Sequence, residues 1–142
     1  MTMDGVKRVL LVENEDLVRK LMARILTRWG FEVLEQATPE AALQHVRSAP
    51  PGGVADVLVT DAAMPGMTGP ELAAGIAEFW PGLGVLYVTS DAGGDLIGRG
   101  LVGSKSILQK PFTPQELIKH VGRLLEDRVS GELDAAPTVD GA

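Results

Sequence analysis

Five short apolar runs punctuate the chain: RVLLV at 8–12, FEVLE at 31–35, DVLVT at 56–60, GVLYVT at 84–89 and SILQ at 106–109. The runs at 8–12 and 56–60 are nearly unbroken by polar residues, as in central strands covered on both faces. FEVLE is more mixed and suits an outer strand. Between the runs the period lengthens. At about 15–29, Leu17, Leu21, Ile25 and Trp29 recur at spacing four with Val18, Met22 and Leu26 beside them, which predicts a helix with one wide apolar stripe on the sheet. Thr38 and Pro39 supply an N-cap and a first-turn proline for a second helix, with Leu43 and Val46 inward. A third follows Pro70, with Leu72, Ile76 and Phe79 as its apolar row. In the last, Thr113 and Glu116 form a capping box around Pro114, and Leu117, Val121, Leu124 and Leu125 face the core. The connection at 91–103 differs, because five of its thirteen residues are glycine. Each glycine costs roughly 1 kcal/mol in a helix interior, so a helix there is predicted to be short or frayed.

Strands alternating with helices at this spacing predict parallel pairing, since parallel strands need crossover connections. The expected fold class is α/β, a three-layer doubly wound parallel sheet with helices on both faces. Sites in such folds lie outside the carboxyl ends of the strands, where strand order reverses.

Composition narrows the functions such a fold could serve. A chain of 142 residues holds one domain with a sizeable core and leaves no room for a second folded module. The absence of cysteine excludes disulfides, Cys-based zinc sites and thiol catalysis. With a net charge of -6 and no cluster of Lys and Arg, nucleic acid is not an expected partner. Half of that charge lies in Glu132, Asp134 and Asp140, within a small-residue stretch without periodic apolar positions. The expected organisation is an N-terminal extension at 1–5, a folded domain at 6–128 and a disordered acidic tail or linker stub at 129–142. No apolar run approaches the roughly 20 residues of a membrane span, and MTMDGVKR lacks the apolar core of a signal peptide, so a cytoplasmic location is expected.

At the predicted strand ends the residue types change. Glu13, Asn14, Glu15 and Asp16 follow the first strand, Asp61 the third, Thr89 ends the fourth, and Lys110 with Pro111 follows the fifth. Carboxylate and amide oxygens suit a hard cation such as Mg²⁺, which binds through one or two carboxylates with phosphate oxygens and water. An aspartate beside such a cation can attack a phosphoryl group and form an aspartyl phosphate. A lysine and a hydroxyl nearby would hold the phosphoryl oxygens.

LLVENEDLVRKL (10–21), TDAAMPGMTGPEL (60–72), VLYVTS (85–90) and LQKPFTPQEL (108–117) resemble, in this order, the signature regions of receiver domains of two-component signalling. The resemblance spans residues 6–127, and it is strongest to receivers of hybrid sensor histidine kinases and single-domain response regulators. It implies a flavodoxin-like sheet with strand order 2-1-3-4-5. It also implies roles: Asp61 as phospho-acceptor, Thr89 as switch hydroxyl, and Lys110 as the phosphoryl-contacting lysine, with a cis Lys110–Pro111 peptide. Glu13 and Asn14 match the acidic pair that holds Mg²⁺ together with Asp61, and the backbone carbonyl of Ala63 matches a further ligand. The donor would be a histidine kinase or histidine phosphotransfer protein. A downstream protein would be contacted through the 91–128 face. The domain would be a signalling phospho-acceptor that assists its own phosphorylation and dephosphorylation, not a turnover enzyme.

Three positions, at two places in the chain, depart from the family pattern. Where two aspartates are usual, this chain has Glu13 and Asn14, one charge fewer. A unit charge near the cation is worth about 1 to 4 kcal/mol at about 4 Å, which predicts Mg²⁺ binding weaker by about tenfold or more unless Glu13 or Glu15 reaches in. The usual aromatic switch, three residues before the lysine, is Ile107, which cannot make the ring swing coupled to the hydroxyl. An alternative is therefore a degenerate receiver that works as a constitutive protein-binding module. A phosphatase reading lacks the second aspartate two residues after Asp61, where Ala63 stands. Flavin binding lacks a Ser/Thr-rich loop after the first strand. Gly98, Gly100 and Gly103 spell a dinucleotide-type glycine pattern, but neither the preceding strand nor the later acid is in place. The 91–103 segment is expected to be mobile until activation or partner binding. His45 and His120 are expected on solvated helix faces, and Trp29, Trp80 and the methionines in or at the edge of the core.

Overall fold

The computed structural model describes residues 6–49, 55–90 and 105–126. Expectations for 91–103 and for the ends at 1–5 and 129–142 lie outside these residues. The elements are β1 (Arg8–Val12), α1 (Asp16–Arg28), β2 (Glu32–Gln36), α2 (Pro39–Ser48), β3 (Val57–Asp61), α3 (Gly69–Ala77), β4 (Gly84–Thr89) and β5 (Lys105–Gln109). A final helix, α4, spans 114–126. The strands form one five-stranded sheet in the order β2-β1-β3-β4-β5, every pair parallel. This is the doubly wound topology that the sequence predicts, with mixed FEVLE at an edge and the apolar runs inside.

Strand alternation divides the core into two layers. Leu10, Val12, Leu58, Val85 and Tyr87 pack with Leu43 and Val46 of α2, Leu72 and Ile76 of α3, and Trp80. Val9, Leu11, Val57, Val59, Leu86 and Val88 pack on the opposite face with Met22, Ile25 and Leu26 of α1 and Leu117, Val121 and Leu124 of α4. Burying one such side chain contributes about 1.5–3 kcal/mol, so each helix is held mainly by its inner stripe.

Local signals fix the helix ends. The Thr38 side chain accepts from the Ala41 amide at 3.1 Å, ahead of Pro39. Thr113 and Glu116 make the predicted reciprocal pair at 2.7 and 3.1 Å. Thr68 and Glu71 make a second capping box, at 2.9 and 3.2 Å, that starts α3. After α1 the chain reverses at Gly30 (φ +96°), whose amide donates to Thr27 while that of Phe31 donates to Leu26. That pairing is a Schellman cap, and the positive φ is what calls for glycine.

The face of α1 departs from expectation. Leu17 is 85% exposed, Leu21 56% and Trp29 58%, while Met22, Ala23, Ile25 and Leu26 are buried. A row at spacing four overshoots the 3.6-residue turn and slants round the helix, so its N-terminal members leave the sheet. Trp29, expected at the core or its edge, is the C-cap residue where the chain turns away. Phe79 likewise lies beyond the end of α3 and is exposed, and buried Trp80 takes its place in the core. His45 is exposed as expected. His120 is half-buried, and its Nδ1 lies 2.5 Å from the Ser106 hydroxyl of β5. Alternation along β5 aims Ser106 at α4, which draws His120 inward; burial, then Arg123, lowers its pKa.

Candidate functional site

Parallel register brings the carboxyl ends of the inner strands to one edge. Val12 lies level with Thr60, Asp61 with Val88, and Thr89 with Gln109. The residues that follow, Glu13 and Lys110, therefore emerge beside Asp61. Backbone bonds tie these exits together: the Glu13 amide donates to Gln36 at 3.2 Å, that of Ala62 to Val88 at 2.8 Å, and that of Lys110 to Thr89 at 2.7 Å. The Lys110–Pro111 peptide is cis.

Lys110 is the hub. Its Nζ lies 3.5 Å from Glu13 Oε1, 3.8 Å from Asp61 Oδ2 and 4.0 Å from Glu15 Oε1. Glu13 is 1% exposed, which a carboxylate tolerates only when its oxygens are engaged. Its Oε2 accepts from the Glu15 amide at 3.1 Å, and Oε1 faces the ammonium. Burial, followed by the neighbouring Glu13 carboxylate, pushes the Asp61 pKa up to about 6, while Lys110 and the Ala63 amide pull it down. Two carboxylates thus share one ammonium at close range. Thr89 ends β4 with 6% exposure. Asn14 and Ala63 lie alongside, both exposed. Glu13, Asp61 and Lys110 are brought together as the sequence predicts, and Glu15 joins them.

The donor set fits a hard cation: it is built of oxygens, and its negative charge exceeds what Lys110 offsets. Among the described residues no three acidic or histidine side chains enclose a metal by themselves. A cation here would rest on two carboxylates completed by amide or backbone oxygens and water, the arrangement Mg²⁺ favours.

Two residues without a role in the sequence reading frame this cluster. Gly69, the first residue of α3, donates its amide to Ala62 at 2.8 Å and approaches Asp61 so closely that a Cβ would lie 2.5 Å from the Asp61 carbonyl. A glycine in T-G-P-E, just where a capping box begins a helix, was the available signal. Arg19 of α1 donates to the carbonyl of Glu13 at 2.9 Å. Only its position three residues after Asp16 hinted at this contact.

A family model described as the response regulator receiver domain matches residues 9–122. The sensor kinase CckA of Brucella abortus (strain 2308) is 34% identical over 126 residues, which cover 87% of this chain but 13% of CckA. The chemotaxis protein CheY of Pseudomonas aeruginosa is 34% identical over 128 residues, 87% of this chain and 99% of CheY. The crystal structure of the receiver domain from hybrid histidine kinase CckA superposes with a TM-score of 0.70 at 31% identity, covering 83% of this chain and 98% of that one. The family-model match over most of the chain, with these relatives beside it, shows that the chain belongs to the response regulator receiver domain family of two-component signalling.

Proposed function

We propose that the domain accepts a phosphoryl group on Asp61, with Glu13, Asp61 and backbone or amide oxygens of Asn14 and Ala63 holding Mg²⁺ beside it. The supporting observation is the approach of Asp61 and Glu13 to a single lysine ammonium, at 3.8 and 3.5 Å, on the edge where four strands end. The donor is a phosphohistidine on a histidine kinase or a histidine phosphotransfer protein. A carboxylate oxygen of Asp61 attacks phosphorus in line, the phosphorus–nitrogen bond breaks, and the electron pair leaves with the imidazole. Bound Mg²⁺ would supply charge neutralisation at the phosphoryl oxygens. Lys110, released from sharing two carboxylates, turns to the transferred group, and the Thr89 hydroxyl donates to one of its oxygens. Asp61 must be ionised to attack, and its pKa of about 6 leaves it so at neutral pH.

The exposed Asn14 and the aliphatic Ile107 favour a second reading, a receiver that seldom takes phosphate and acts through constitutive protein contacts. Intact mass after incubation with acetyl phosphate and Mg²⁺ separates the two. The wild type is expected to gain one phosphoryl group and Asp61→Asn none; an unmodified wild type would leave the binding-module reading.

A further inference from the structure

We infer that Arg19 is a positioning residue for the cation side of the site, locking the β1–α1 loop so that Glu13 and Asn14 present their oxygens in one fixed geometry. The inference rests on the reading of the cluster as a Mg²⁺ and phosphoryl site. Arg19 is a cationic side chain only 11% exposed, on a helix that otherwise turns its charges to solvent. Its Nη1 donates to the Glu13 carbonyl at 2.9 Å, Nη2 donates to Asp16 Oδ1 at 2.8 Å, and Nε lies 3.4 Å from Glu35 Oε1. One rigid fork therefore spans the end of β1, the first turn of α1 and β2.

The consequence falls on Glu13, whose four polar groups are all engaged. Its amide is held by Gln36, its carbonyl by Arg19, Oε2 by the Glu15 amide, and Oε1 faces Lys110. Three of these contacts fix the buried side; the arginine fixes the outer side. Without it the Glu13–Asn14 peptide loses the arginine hydrogen bond to its carbonyl, and rotation of that peptide displaces both the Asn14 side chain and the Glu13 carboxylate. Groups that orient metal ligands through hydrogen bonds typically matter almost as much as the ligands themselves. A lysine at this position would keep the charge but, with one nitrogen, could not bridge Glu13, Asp16 and Glu35 at once.

The test is a Mg²⁺ titration of the full chain followed at the Asn14 and Glu15 amides by NMR, for wild type, Arg19→Gln and Arg19→Lys. Melting temperature and exchange of the Glu15 amide are measured alongside. Arg19→Gln is expected to weaken Mg²⁺ binding by about tenfold and to speed exchange of the Glu15 amide, with Arg19→Lys recovering only part of the affinity. Should Arg19→Gln fail to fold, Arg19→Lys decides alone. Wild-type affinity in either folded variant, with only the melting temperature lowered, would overturn the inference, and so would full recovery by lysine, which would make the effect one of charge. A wild type whose amides ignore Mg²⁺ would instead overturn the metal-site reading, and this inference with it.

Discussion

Asp61, Thr89, Lys110 and Glu13 leave the sheet from strands or from the residue directly after one, whereas Asn14 and Glu15 sit in the loop between β1 and α1. The first group inherits its position from the backbone ladder: Asp61 is paired with Val88, and Lys110 is bonded to Thr89. The second group depends on side chains, those of Glu13 and Arg19 above all. The uncharged Asn14 belongs to the second group. Ladder-held residues tolerate little change in position. A loop held by side chains can be rebuilt, and in this chain Glu15 lies 4.0 Å from Lys110 beside an uncharged Asn14.

The largest effect is expected on the rigid side. Gly69→Ala places a methyl 2.5 Å from the Asp61 carbonyl, where backbone meets backbone and no side chain can yield. It should destabilise the domain by about 3 kcal/mol and lower acetyl phosphate labelling, as read by urea unfolding and intact mass. Unchanged stability would show that β3 and α3 are free to separate, contrary to the ladder-held picture.

Next is the pH dependence of the metal-free protein. Folding holds the Asp61 proton up to about pH 6, where an unfolded aspartate releases it near 3.8. Between those values the folded state binds more protons, so this contribution is fully present below the lower value and is lost as pH rises through the upper one. With a chelator present, wild type should lose about 2 kcal/mol relative to Asp61→Asn between the two, as read by parallel denaturant series. Identical slopes would mean that neither burial nor the Glu13 carboxylate raises the Asp61 pKa in the folded protein.

On the adaptable side, Asn14→Asp restores a charge near the cation and should tighten Mg²⁺ binding by about tenfold. Equal affinities would mean that Glu15 already supplies the missing charge. The smallest effect belongs to the outer face of α1: Leu17→Gln should change stability by less than about 0.5 kcal/mol, because that side chain is 85% exposed. A large loss would restore Leu17 to the core.

The parallel sheet and the strand-end residues were legible because each depends on local pattern: apolar runs, turn residues, and single polar residues placed directly after a strand; the strand order is non-local and came only from the resemblance to receiver domains. The facing of α1 was not, since Leu17, Leu21, Ile25 and Trp29 fit a periodic row as well as Val18, Met22, Ile25 and Leu26 do, and only packing on the sheet selects between them. Arg19, Gly69 and the Ser106–His120 pair escaped for a related reason. Their partners are backbone carbonyls or side chains of other elements, and such contacts leave no spacing in the sequence.

The most direct test is chemical mapping of the acceptor. After treatment with acetyl phosphate and Mg²⁺, borohydride reduction converts an aspartyl phosphate to homoserine, which peptide mass spectrometry locates. Homoserine at position 61 alone, absent when Mg²⁺ is chelated, is the predicted result; homoserine at another aspartate, or none in protein that binds Mg²⁺, would contradict the assignment of Asp61.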